Sequence, residues 1–209
     1  MKQHDSPAVL LACDFTVDDV ERMWDWIQRQ RESLAGIGAR HIVMFASVWE
    51  PGRVLVTTGL RGQRSIRRIV QSPMIFDWFD VAGIVDIPPI FGGEMVEQID
   101  LVEASAPTPE DAVVLGVISS VADVTRLVAR VHDAAEHFVN AGVRKVWIYR
   151  ALDDGHEVMI LEEVDSEANV RKWIDKPDAA AEWMSRAGVG AYPPMFVGRA
   201  AHLMAIESS

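Results

Sequence analysis

Cysteine is almost missing from this chain. Cys13 stands alone among 209 residues, so no intrachain disulfide can form and the composition fits a reducing compartment. Positive charge is scarce as well: 20 Lys and Arg face 31 Asp and Glu, for a formal net charge of −11. Such a field repels phosphate backbones and anionic lipid surfaces, which excludes nucleic acid and membrane as expected partners. No Cys/His cluster has the spacing of a zinc site. The start, Met-Lys-Gln-His-Asp-Ser-Pro, has no apolar core of a signal peptide, so a cytoplasmic protein is expected. What is there is an ordinary globular mixture, 49% hydrophobic and 24% charged, enough to build a packed core.

The chain repeats itself. A shift of 104 residues lays Ala8-Val9-Leu10-Leu11 on Ala112-Val113-Val114-Leu115, and Val17, Asp19 and Val20 on Val121, Asp123 and Val124. Gly38 and Arg40 fall on Gly142 and Arg144, and Pro73 on Pro177. After a one-residue slip, Ala82-Gly83 and Pro88-Pro89-x-Phe91 meet Ala187-Gly188 and Pro193-Pro194-x-Phe196. Self-similarity over this length marks a duplicated unit. We therefore expect one repeat over 1–104, a Pro-bearing linker over 105–109 and a second repeat over 110–209.

Each repeat reads the same way. Short apolar runs at 8–15 and 112–118 are strands. Thr16-x-x-Asp19 and Ser120-x-x-Asp123 predict a hydroxyl cap opening a helix. Its buried stripe is Val20, Trp24, Ile27 and Leu34 in the first repeat, and Val124, Leu127, Val128, Val131, Ala135 and Phe138 in the second. Gly38 and Gly142 close these helices. Hairpins over 41–58 and 145–161 follow, then helices near 66–80 and 169–186, and last strands at 94–102 and 198–206. The order β-α-β-β-α-β predicts two tandem ferredoxin-like α+β units, each with helices on one face of an antiparallel sheet. Ile42-Val43-Met44-Phe45 and Val146-Trp147-Ile148-Tyr149 are apolar on both alternating faces, so the second face also needs a cover. Packing of the two sheets face to face supplies it, which predicts a pseudo-dimeric monomer.

From Val164-Asp165-Ser166-Glu167 through Lys176-Pro177 and Met184-Ser185-Arg186-Ala187-Gly188-Val189 to Pro193-Pro194-x-Phe196, the chain is similar to the dimeric α+β barrel superfamily, near its antibiotic-biosynthesis-monooxygenase-like group. The likeness is best over 145–200 and weaker over 42–102, and its motif concerns packing. The resemblance implies that a ligand would sit between a sheet and its own helices. Activities in that superfamily include cofactor-independent oxygenation, haem degradation, cyclisation and isomerisation. No stretch here matches the Asn, Trp and His set of the haem degraders, and no haem, metal or other cofactor is expected.

Candidate site residues come from angle and alternation. With about 100° per residue and Val124 at zero, His132 falls near 80°, beside the apolar stripe, while His137 falls near 220° and faces water. His132 is a candidate base; its structural alternative is a boundary histidine. His202 shares a strand face with Ala200, Met204 and Ile206, and Gln98 takes its place in the first repeat, so it is a second candidate base or the source of an inter-repeat hydrogen bond. Tyr149 is the candidate orienting group. Trp147, on the same strand face, and Trp173, on the inner side of a helix, are candidate ligand-binding aromatics or plain core. Cys13 alternates with Val9, Leu11 and Phe15 and reads as a small buried hydrophobe. Glu162 and Glu163 point to opposite faces of a strand and form no carboxylate dyad.

Three functions compete. One is a cofactor-independent oxygenase, cyclase or isomerase on a small aromatic or polyketide-like molecule, with His132 or His202 as base. The others are a non-catalytic binder of an apolar or acyl ligand, and a structural or regulatory protein–protein module. The second repeat holds four of the six histidines and both tyrosines, so any site is expected there.

Overall fold

Duplicated hydrogen bonds mark the two repeats in the structure, a computed structural model that describes residues 9–72, 77, 79–80, 88–103, 107–175, 185, 187–188 and 194–206. Val17 N–H donates to Gly52 O at 2.9 Å, and Val121 N–H to His156 O at 2.6 Å. Likewise Arg61 N–H reaches Gly38 O at 3.0 Å and Asp165 N–H reaches Gly142 O at 2.8 Å. All four pairs are related by the shift of the sequence repeat.

The first repeat runs β1 (Val9–Thr16), α1 (Val20–Arg29), α2 (Arg31–Gly36), β2 (Ala39–Ser47), β3 (Arg53–Leu60), α3 (Gln63–Val70) and β4 (Ile90–Asp100). The second runs β5 (Val113–Ser120), α4 (Val124–Asp133), α5 (Ala135–Asn140), β6 (Val143–Ala151), β7 (Glu157–Val164), α6 (Glu167–Ile174) and β8 (Met195–Ala205). The expected β-α-β-β-α-β order is present twice, and the strands of each unit pair antiparallel. Among the described residues no helix is long and apolar enough to cross a membrane.

Compact packing divides the chain differently from the sequence repeats. One unit takes Met1–Glu94 with Ala200–Ser209, the other Met95–Arg199. Within the first, β3 lies between β1 and β2, the start of β4 pairs with β1, and Ile206 N–H donates to Arg40 O at 2.7 Å. Within the second, β7 lies between β5 and β6, the start of β8 pairs with β5, and Leu101 N–H donates to Arg144 O at 2.9 Å. Each last strand therefore begins in one unit and ends in the other.

Local details differ from the sequence reading. The helix caps are Asp19 and Asp123, whose carboxylates accept from Arg22 and Arg126 N–H at 3.0 and 3.1 Å. Thr16 and Ser120 finish strands instead, because the turn between them and the helix is used for the bonds of Val17 and Val121. Each expected long helix is broken once, at Gln30 and at Ala134. There the turn tightens, Gln30 N–H bonding Ile27 O at 3.0 Å and Ala134 N–H reaching Val131 O at 3.2 Å. The apolar stripe survives the break, since Leu34 and Phe138 are both buried. The Lys176-Pro177 step, Met184, Arg186, Val189 and Pro193 lie outside the described residues, as do Ala82-Gly83 and the linker residues 105–106.

The core of the first unit joins one sheet face to its helices. Leu11, Cys13 and Phe15 of β1 with Ile42 and Met44 of β2 and Val54 and Val56 of β3 bury against Met23, Trp24, Ile27, Leu34, Ile66 and Ile69. Fully burying one such aliphatic side chain contributes about 2 kcal/mol, so the stripe spacing fixes which helix face docks.

Candidate functional site

Alternation along β7 puts Val158, Ile160, Glu162 and Val164 on one face. Directly across the ladders, Glu162 meets Leu115 of β5 and Val146 of β6. This is the face that the helices of the second repeat cover. α5 brings Phe138 and, just beyond its end, Ala141; α6 brings Asn169, Val170 and Trp173. Together with Leu115, Val143, Glu162 and Val164 they line a small, open-mouthed recess.

Two local devices position the polar groups. Ser166 caps α6, its hydroxyl accepting from Asn169 N–H at 3.3 Å, which starts the helix so that Asn169 and Trp173 share a face one turn apart. Gly142 adopts φ +85°, and a Cβ there would run into the Asn169 amide, so the glycine provides both the turn and the room for that side chain. Lys172 Nζ lies 3.4 Å from Asn169 Oδ1.

Glu162 is the unusual residue. It is half-buried at the recess, solvent reaches its carboxyl oxygens, and the carboxyl has no hydrogen-bond partner among the described residues. Burial pushes it from 4.5 up to about 7, since the apolar surroundings disfavour the charged form. Glu163 turns to the other face, as its position in the strand requires, and accepts from Arg144 Nε at 3.1 Å. Arg144 also reaches Asp165 at 3.2 Å and Pro107 O at 3.0 Å.

Among the described residues the matching places of the first repeat are filled differently. Thr58 stands where Glu162 does, and Leu34, Ile66 and Ile69 replace Phe138, Val170 and Trp173; all four are buried. One duplicated framework thus carries packed core in one copy and a recess with an acid in the other.

Of the residues singled out from sequence, Trp173 lines the recess. His132 does not: its side chain is 53% exposed and lies 3.7 Å from Glu97, because the buried face of α4 is centred on Leu127 and Val131 and His132 stands about 120° from that centre. His202 belongs to the other unit, stacked on Trp24 with ring centres 4.8 Å apart and planes 8° apart. Its Nε2 is 3.1 Å from Glu21 Oε1. Tyr149 and Trp147 pair with Met159 and Leu161, the β7 face opposite Glu162, so both point away from the helices. Tyr149 is buried there and its phenol is pushed up to about 12 by that burial; Trp147 carries Lys145 Nζ at 5.5 Å over its ring. Sequence reasoning passed over Glu162. The available signal was an acid inside an apolar strand at the place where the other copy has Thr58.

No family model and no curated protein sequence matches the chain. Solved structures do match it, over nearly its whole length. An anthrone oxidase-like protein is 13% identical, with 97% of this chain and 94% of that one covered at a TM-score of 0.64. The chain has the dimeric α+β barrel fold. A monooxygenase-like protein from Listeria innocua (10% identity, 93% and 95% covered, TM-score 0.50) shares it. So does a ferredoxin-fold protein from Listeria monocytogenes related to antibiotic biosynthesis monooxygenases (9% identity, 96% and 99% covered, TM-score 0.50). At these identities the likeness is one of fold, and the chemistry has to be argued from the recess.

Proposed function

We propose that this chain is an oxygenase-type enzyme that begins by taking a proton from a small, flat, electron-rich aromatic compound, with Glu162 as the base. The observation that carries the reading is a carboxyl, without a hydrogen-bond partner among the described residues, at the wall of a recess whose lining is otherwise apolar except for Asn169. A base whose affinity for protons lies near neutrality is present in both forms at working pH, the condition under which general base catalysis is effective. Trp173 and Phe138 offer ring surfaces for a planar guest, and the Asn169 amide offers hydrogen bonding to an oxygen on that guest. The fold neighbours that are anthrone oxidase-like and monooxygenase-like support the choice of an oxidisable aromatic. Once the proton is removed, the ring anion is electron-rich enough to react with molecular oxygen. The first repeat then acts as scaffold.

Anthrone serves as the test compound: with one O2 it gives anthraquinone and one water. The full chain should accelerate oxygen uptake and quinone formation over buffer, and Glu162→Gln should lower the rate by about 100-fold or more. Equal rates for parent and variant would overturn the assignment of Glu162. Binding of anthrone with no turnover by the parent would leave a binding protein in place of an enzyme.

A further inference from the structure

We propose that Glu162 makes the recess of the second repeat choose its ligands by charge, taking a small aromatic ammonium ion ahead of the alcohol of the same shape and rejecting the carboxylate. This rests on the reading of the recess as a ligand site and of Glu162 as a group that meets the incoming molecule; it concerns what suits that group best.

Among the described residues the groups facing Glu162 carry no charge. They are Leu115 of β5, Val146 of β6, Phe138 of α5, and Asn169, Val170 and Trp173 of α6. Lys172, the charged neighbour of the rim, is exposed and lies against Asn169 Oδ1. Among the described residues an ionised carboxylate there meets no counter-charge and, Asn169 aside, no side-chain donor, and it is costly to the extent that the recess keeps water from it. An ammonium group supplies the two at once through a charge-assisted hydrogen bond. The Trp173 and Phe138 rings add to the preference, since aromatic faces attract cations. An alcohol supplies a donor without charge. A carboxylate supplies neither and sets two like charges side by side in a place with no lining cation. The net charge of −11 works in the same direction by raising the local concentration of cations. Thr58 in the first repeat has no such property, so the selection belongs to one copy.

Benzylammonium, benzyl alcohol and benzoate form a suitable series. Each is titrated against the full chain at pH 8 and pH 5.5, with binding followed by calorimetry and by the indole N–H signal of Trp173. At pH 8 the ammonium ion should bind at least about tenfold more tightly than the alcohol, and benzoate should not bind. At pH 5.5 Glu162 holds its proton and the preference should fall to near parity. Glu162→Gln should show no preference for the ammonium ion over the alcohol at either pH. If that variant does not fold, loss of the preference between pH 8 and pH 5.5 in the parent remains as the test. Equal binding of ammonium and alcohol at pH 8, binding of benzoate, or binding of none of the three would overturn the proposal. Ranking by charge without oxidation of anthrone would count against the catalytic reading alone. Glu162-dependent oxidation without ranking would count against this inference alone.

Discussion

Glu162 stands directly opposite Leu115 across β5 and β7, and Thr58 stands directly opposite Leu11 across β1 and β3. The two places are equivalent in the duplication, and what differs is the helical cover above them. Over Thr58 the isoleucines close the core; over Glu162 the larger Trp173 stands beside an open recess.

Glu162 should make the protein less stable as pH rises. Its carboxyl goes from 4.5 up to about 7 on folding, so between those values the folded chain holds more protons than the unfolded one. Stability is then full below about 4.5 and falls as pH climbs toward 7 and beyond. The open mouth of the recess reduces the effect, which we put at about 2 kcal/mol. Urea unfolding at pH 5 and pH 8 measures it, and Glu162→Gln should remove most of the difference.

Thr58→Glu should be severe. Thr58 is 6% exposed, and Leu34, Ile66 and Ile69, buried at the matching places of its cover, offer nothing polar to receive a carboxylate. A loss of about 3 kcal/mol or more is expected at pH 8, with partial recovery at pH 4.5 where the introduced acid takes up its proton. Thermal melts at the two pH values test it; a variant as stable as the parent would show that this face of the first repeat is also open.

Neither histidine first considered as a base should matter for turnover. His132→Ala removes a long, exposed ion pair and should change stability by about 0.5 kcal/mol or less. His202→Ala removes the stack on Trp24 and the bond to Glu21, for a loss of about 1 kcal/mol. Both variants should oxidise anthrone at the parent rate. A large loss with folding intact would return catalysis to the histidine concerned.

Gly142→Ala should couple stability to binding. The residue has φ +85° and its missing Cβ makes room for the Asn169 amide, so alanine brings both strain and displacement of Asn169. The expected cost is about 1–3 kcal/mol. Affinity for benzyl alcohol should drop alongside it, whereas Gly155→Ala, in open space, should change neither.

Cys13 should resist alkylation. Burial, helped by Asp14, pushes its thiol up to about 12, so little thiolate exists at pH 8. Iodoacetamide should label the native chain far more slowly than the urea-unfolded one, as mass spectrometry would show.

The repeat, the strand and helix order, and the helix faces that dock were legible in the sequence because they follow from local period and punctuation. Val124, Leu127, Val131 and Phe138 recur at helical spacing and are buried, and Gly38 and Gly142 take the left-handed backbone that closes a helix. The opposite facing of Glu162 and Glu163 also follows from strand alternation alone. Only the tertiary structure decided which face of β6 and β7 the helices cover. That choice sends Tyr149 and Trp147 away from the recess and Glu162 into it, and it depends on pairing between strands far apart in the chain. His132 stands at the margin of the apolar stripe, and only the tertiary structure showed that this margin of α4 faces solvent. Above all, the acidity of Glu162 is a property of its surroundings. Leu115, Phe138, Val164 and Trp173 come to it from two strands and two helices, and no local stretch of sequence contains them together.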